Sequence, residues 1–262
     1  MRVRENPVKR RLDAGEIVFG TMVMEFATPA VARITAAAGA EFTLFDLEHT
    51  AYGIEHMRNV LSSARAANTV PLLRVPDAAY DLISRGLDAG ALGVMVPVVE
   101  SADEARLVAE SARFPPVGRR GFGILRDEWE PEGVTATIEK ANAETLVLVQ
   151  IESAAGLDAV DEIAAVDGVD VLWIGHFDLT ASLGIAGDFA HPRYHEAIDR
   201  VLAAGVRARK PVGMVCNTVQ EGVELVERGF RILAFAIDVY LYEDALRAGL
   251  EGLRTSLTGR GT

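Results

Sequence analysis

Val147-Leu148-Val149-Gln150-Ile151-Glu152 and Val171-Leu172-Trp173-Ile174-Gly175-His176-Phe177-Asp178 decide the fold. Each is an apolar, β-branched run that ends on a carboxylate. Runs without polar alternation belong to strands covered on both faces, as in parallel α/β sheets. A carboxylate at the end of such a strand costs free energy unless a partner meets it. Two of them at neighbouring strand tips suggest a divalent cation. Mg²⁺ is often held by one or two carboxylates, with substrate and water filling the other positions. The competing readings are a buried salt bridge, or Asp178 capping the next helix.

Outward from these runs the same alternation continues. The expected strands are Val18–Glu25, Phe42–Asp46, Val70–Val75, Gly93–Val99, Leu146–Glu152, Val169–Ile174, Val212–Cys216 and Ile232–Ile237. Segments with helical spacing separate them. Ile54, Met57, Val60, Leu61 and Ala64 share one helix face, and Val223, Leu225 and Val226 repeat the signal more weakly. Gly39, Gly90, Gly168 and Gly229 stand where helices should stop. Eight strand–helix units predict a closed (β/α)₈ TIM barrel. The 262 residues match the roughly 250 that one barrel needs. With no linker or composition break, residues 1–262 read as a single domain. Two connections are long: Phe114–Glu130, rich in Pro and Gly with Arg119, Arg120 and Arg126, and Thr180–His191. Tyr240–Ser256 should form a closing amphipathic helix, completing the barrel or packing on a neighbouring subunit.

Composition excludes several classes. Half the residues are hydrophobic and the net charge is −12, with a mean hydropathy of +0.19. A large core is expected and disorder is not. An acidic surface repels nucleic acid and anionic membranes. No apolar run reaches the ~20 residues of a membrane span, and the charged start lacks a signal core. A lone cysteine, Cys216, allows no intrachain disulfide. The expectation is a soluble cytoplasmic protein. The only lysines, Lys9, Lys140 and Lys210, avoid the strand ends, which disfavours Schiff-base chemistry. No GxGxxG, P-loop or GxSxG motif is present.

Active sites of such barrels lie at the C-terminal strand ends. The expected tips carry Glu25, Asp46-Leu47-Glu48-His49, Arg74, Glu100, Gln150 with Glu152, Asp178, Asn217 and Asp238. Glu152 and Asp178 are the metal candidates. His49 is the candidate proton-transfer group, since an imidazole pKa of ~6.5 suits neutral pH, and Asp46 would orient it. Arg74 at the end of an apolar strand needs an anion, either substrate or Asp46 and Glu48. His56 and His195 read as solvated, and His191 as a helix start.

Several motifs occur in order: Asp46-Leu47-Glu48-His49, Arg74-Val75-Pro76, Val96-Pro97, Gly118-Arg119-Arg120-Gly121-Phe122-Gly123, Leu148-Val149-Gln150-Ile151-Glu152 and Gly175-His176-Phe177-Asp178-Leu179. Together they resemble the class II, metal-dependent pyruvate aldolases of the HpcH/HpaI family, over about residues 20–250. The resemblance implies Mg²⁺, Mn²⁺ or Co²⁺ on Glu152 and Asp178, and pyruvate chelating that ion. It implies Gln150 and the backbone N–H groups near Gly175 and Phe177 on the substrate carboxylate. It implies Arg74 on the enolate, and His49, supported by Asp46, moving the aldol proton through water. It also implies a homohexamer of dimers that exchange their last helix. The reaction would cleave a 4-hydroxy-2-oxo acid to pyruvate, or a related 2-oxo acid such as hydroxypyruvate, and an aldehyde. Two departures concern the substrate: His176 where the family usually has Pro, and the less Gly-rich Ala234–Asp238 segment. The arginines of 119–126 are candidates for a distal substrate carboxylate. The alternatives are a citrate-lyase-like acyl-CoA lyase of the same superfamily and a non-catalytic barrel that binds a 2-oxo acid.

Overall fold

The computed structural model describes residues 2–258 apart from Leu125 and the side chain of Asp127. Eight parallel strands close into a barrel in sequence order. They are β1 (Val18–Val23), β2 (Phe42–Asp46), β3 (Val70–Arg74), β4 (Gly93–Val96), β5 (Leu146–Ile151), β6 (Val171–Ile174), β7 (Val212–Cys216) and β8 (Ile232–Ile237). The helices are α1 (Pro7–Asp13), α2 (Val31–Ala37), α3 (Ile54–Ala64), α4 (Tyr80–Asp88), α5 (Ala102–Ala112), α6 (Val134–Glu144), α7 (Ala154–Asp158), α8 (Val160–Ala164), α9 (His176–Ser182), α10 (Pro192–Ala208), α11 (Val219–Arg228) and α12 (Asp238–Thr258). The expected TIM barrel is therefore the observed fold.

Strand residues alternate between two cores. Met22, Phe42, Leu44, Leu72, Met95, Leu148, Trp173 and Ile232 fill the barrel interior. Phe45, Leu73, Val94, Val149, Leu172 and Leu233 meet the helices outside. The bottom of the barrel is plugged by α1, through buried Val8 and Leu12. The Asn6 side chain donates to the Glu144 carbonyl at 3.0 Å, and its backbone N–H to Glu144 Oε2 at 2.5 Å. Apolar layers inside and outside the sheet explain why the strands read as continuous rather than alternating.

Helix ends follow the expected punctuation. Gly229 ends α11 with φ 115°, a region glycine enters without cost. His191 caps α10, its Nδ1 accepting the Arg193 N–H, and Pro192 opens the helix. Five strands are shorter than expected, β3 by the single residue Val75. The Asp238 carboxylate accepts the N–H groups of Met24, Glu25 and Phe26, which draws the chain out of the ladder after Val23. After β4 the backbone turns at Val98, with φ 50°. β5 stops one residue before Glu152, and β6 begins only at Val171.

The closing helix α12 has no buried residue. Leu246, Leu250, Leu253 and Leu257 recur along it and are all exposed. No described helix is long and apolar enough to cross a membrane.

Candidate active site

The polar residues at the C-terminal strand ends form two linked groups. In the first, Asp46 and Arg74 end adjacent strands and pair in register. Asp46 is fully buried, and its Oδ1 accepts the Arg74 Nε–H at 2.6 Å. Arg74 Nη1 lies 2.9 Å from Glu48 Oε2. That contact is an ion pair without hydrogen-bond alignment, leaving Glu48 Oε2 without a hydrogen-bonding partner. Burial pushes the Glu48 carboxyl above the usual range, against the pull of Arg74.

Asp46 also accepts the backbone N–H groups of Glu48 and His49, at 3.1 and 3.0 Å. It thus shapes the turn that carries His49 and does not touch the imidazole. The ring, half exposed, faces Glu48 instead, with Nε2 3.7 Å from Oε2. Glu48, read from the sequence as a partner for Arg74 and an acid beside His49, is therefore the carboxylate that links the two.

The second group joins β5 to β6. Glu152 is buried, and its Oε1 accepts the Val98 N–H at 2.8 Å. Its Oε2 accepts from Gln150 Nε2. A Cβ at Gly175 would stand 2.0 Å from Glu152 Oε2 and 2.6 Å from Gln150 Nε2, so glycine is required for this close approach. Burial raises the Glu152 carboxyl to about 7, and the charges of Glu48 and Asp178 add to that shift. Asp178 is not a strand residue. It sits exposed in the first turn of α9. The Gly175 N–H donates to the Ile151 carbonyl at 3.3 Å and is already committed, whereas Phe177 lies in a first turn whose N–H groups lack intrahelical acceptors.

Among the described residues, no three or more His, Cys, Asp or Glu side chains gather as a metal cage. The donor set still fits a hard divalent cation. Gln150 Oε1 is buried without a partner, and the carboxylates of Glu152, Glu48 and Asp178 act on one another. An excess of buried oxygen donors and negative charge is what such an ion neutralises, and one or two protein carboxylates suffice for it.

A cavity of about 540 Å³ joins these groups, lined by Arg74, Gln150, Gly175, Phe177 and Asp178 on one side. The rest of its lining is mainly apolar and includes Met22, Met24, Trp173, Val215 and Ile237, with Asn217 among them. Sequence reading missed the apolar residues, because apolar strand positions look alike whether they fill the core or face a cavity. Tyr240 and Asp244 of α12 also reach it. His176 packs its ring on Phe177 and Phe189, at 4.6 and 5.3 Å. Burial pushes its imidazole below the ordinary value.

Of the other polar tips, Asn217 lines the cavity, while Asp238 has a structural duty, holding the turn after β1. His56, expected to be solvated, stacks on Tyr52 at 4.4 Å and bonds the Ala27 carbonyl through Nε2. The arginines of the 119–126 segment do not line this chain's cavity. Arg119 lies over the Tyr80 ring. Arg120 is buried against Asp88 at the C-terminal end of α4, which is the opposite end of the barrel.

The fold and the site describe a barrel lyase with an oxygen-rich centre, and comparison with known proteins gives the family. Residues 21–245 match the family model "HpcH/HpaI aldolase/citrate lyase". The chain is 34% identical to the hydroxypyruvate/pyruvate aldolase of Paraburkholderia phytofirmans, over 95% of this chain and 98% of that protein. It is 32% identical to a 2-keto-3-deoxy-L-rhamnonate aldolase of Shigella sonnei, over 97% of this chain and 95% of that protein. The crystal structure of an HpcH/HpaI aldolase from Desulfitobacterium hafniense superposes with a TM-score of 0.89 at 32% identity, covering 94% of this chain and 96% of that one. The chain belongs to the HpcH/HpaI aldolase family. It is accordingly a lyase of the aldolase type, and class II aldolases of this family generally depend on a divalent metal.

Proposed function

We propose that this chain catalyses the reversible cleavage of a 4-hydroxy-2-oxo acid to pyruvate, or to a related 2-oxo acid such as hydroxypyruvate, and an aldehyde. The observation that carries this reading is the convergence of the Asp46–Arg74–Glu48 group and the Gln150–Glu152–Gly175 group on one cavity.

In cleavage, the 4-hydroxyl loses its proton and the C3–C4 bond breaks. The aldehyde leaves, and the electron pair moves onto the C2 oxygen as an enolate, which is then protonated at C3. Arg74, fixed by Asp46, stabilises the charge as it develops, without reorganisation. His49 faces solvent beside Glu48 and accepts the hydroxyl proton through water. The second N–H of Gln150 and the Phe177 N–H hold the substrate carboxylate. Glu152 and Asp178 would hold a divalent ion such as Mg²⁺, Mn²⁺ or Co²⁺, which supplies Lewis acidity at the carbonyl when bound.

The exposed leucine stripe of α12 supports a homo-oligomer in which that helix is covered by another copy, a hexamer by family resemblance. A cytoplasmic location is the matching expectation for a chain whose one cysteine, Cys216, is a buried thiol.

The test is deuterium exchange into the pyruvate methyl group in D₂O, followed by NMR with Mn²⁺ or Mg²⁺ and again with EDTA. Exchange that requires both protein and metal is expected. No exchange with any divalent ion would overturn the reading.

A further inference from the structure

We infer that the substrate tail beyond the reacting carbons is uncharged and apolar, so that the aldehyde released or consumed is a neutral aliphatic or aromatic one rather than an acidic semialdehyde. This rests on the aldolase reading above and names the substrate class of the same site.

The cavity is lopsided in its chemistry. At about 540 Å³ it falls in the range of pockets that hold drug-sized ligands, far beyond a three-carbon acid. The groups assigned to the 2-oxo acid occupy one wall. Met22 and Trp173, the latter in register with Gln150, form a buried floor. Met24, Val215, Ile237 and Tyr240 form the facing wall, with the neutral amide of Asn217, one residue past β7, among them. Apolar area removed from water favours an apolar occupant, and methionine adapts to rings and chains alike.

Charge points the same way. Arg74 is the only cationic Lys or Arg among the described lining residues, and Asp46 and Glu48 already pair with it. Asp178 is committed to the divalent ion in the aldolase reading, and Asp244 faces the same space. A second carboxylate on the substrate would lose its hydration beside Asp244, with no free Lys or Arg among the described lining residues to receive it. Arg119 and Arg120 are occupied by the Tyr80 ring and by Asp88, outside this cavity.

The experiment uses the full chain with Mn²⁺. Pyruvate deuterium exchange is measured first, then condensation of pyruvate with hexanal, benzaldehyde, glyoxylate and succinic semialdehyde. At least a tenfold higher kcat/KM for the neutral pair is expected. Equal values, or a preference for the acidic pair, would overturn the inference while exchange leaves the aldolase reading standing. Absence of exchange would overturn that reading, and the inference with it. Met24→Arg adds a cation to the wall. It should cut the preference for neutral aldehydes at least tenfold, read as the ratio of kcat/KM for the neutral and acidic pairs. A variant that exchanges normally and keeps the parent's preference would count against the assigned wall.

Discussion

The backbone N–H of Val98 donates to Glu152 Oε1 at 2.8 Å, and it does so from a residue with φ 50°. A β-branched residue rarely adopts that conformation, which costs an L residue roughly 1–2 kcal/mol. The strain is placed where it aims a donor at the buried carboxylate proposed to bind metal. Val98→Gly keeps the donor and removes the strain, at roughly 0.5–1 kcal/mol of extra chain entropy. Its unfolding free energy in urea should stay within about 1 kcal/mol of the parent, with activity nearly unchanged. Val98→Pro removes the donor and, with φ fixed near about −65°, also re-routes the turn, so titration with Mn²⁺ should show affinity weakened at least roughly 10- to 100-fold. Full affinity in the proline variant would show that this N–H is dispensable.

Glu152 makes the metal-free chain sensitive to base. Its carboxyl is raised to about 7 in the fold, against 4.5 as the ordinary value. The unfolded chain therefore releases this proton first. Stability from this group is full below pH 4.5 and falls as pH rises through 7. Between pH 5 and pH 8 the metal-free parent should lose roughly 5 °C or more of Tm relative to Glu152→Gln. Mn²⁺ should restore it at pH 8. Parallel losses in the two proteins would contradict the raised carboxyl.

Gly175→Ala places a methyl group against Glu152 Oε2 and Gln150 Nε2. Both side chains must move, though the residue's φ of −88° suits any amino acid. The fold should persist by circular dichroism while kcat/KM falls at least roughly 100-fold, as expected when positioned charges shift by an ångström. An active alanine variant would mean the site is looser than this packing indicates.

Arg74→Lys keeps the charge and loses the fork that spans Asp46 and Glu48. Folding should survive, because neither acid is left unpaired. The cleavage rate should drop roughly 100-fold, the scale for losing one fixed donor to a developing oxyanion. Arg74→Ala should also destabilise the chain by about 3–5 kcal/mol, since it strands buried Asp46. Equal cleavage rates for arginine and lysine would remove the need for the fork.

His49→Ala separates the two half-reactions. Its exposed ring touches neither Glu152 nor Gln150 in the described contacts, so metal-dependent pyruvate exchange should continue. Cleavage of the 4-hydroxy-2-oxo acid should fall by roughly 100- to 10,000-fold. Loss of exchange alongside cleavage would place His49 in enolate formation instead.

The barrel was readable because β5 and β6 are apolar on both faces and the intervening helices carry a separate period. Strand ends were harder, since they depend on contacts distant in sequence. Nothing near Glu25 announces that Asp238 will take three of the local N–H groups. Asp178 looked like the continuation of β6, but Gly175 turns the chain and the acid lies on a helix. Asp46, Arg74, Gln150 and Glu152 stood out as polar groups in apolar runs. Val98 left no signal, because its contribution is a backbone N–H. His56 was misread because a histidine on a helix face looks solvated until Tyr52 and Ala27 are folded against it. Arg120 looked like a substrate ligand until the loop carried it to Asp88.

The helix α12 spans 21 residues and buries none of them in its own barrel, yet it supplies Tyr240 to the cavity wall. Most of a helix's stability in a protein comes from packing its apolar face, which α12 lacks in its own barrel. In the proposed assembly, another copy must hold it in place. Dilution then becomes a chemical variable. As subunits part, α12 frays before the barrel melts, the cavity loses a wall, and turnover per chain declines while the eight strands remain folded. Enzyme concentration would set the shape of the active site as well as the number of sites in solution.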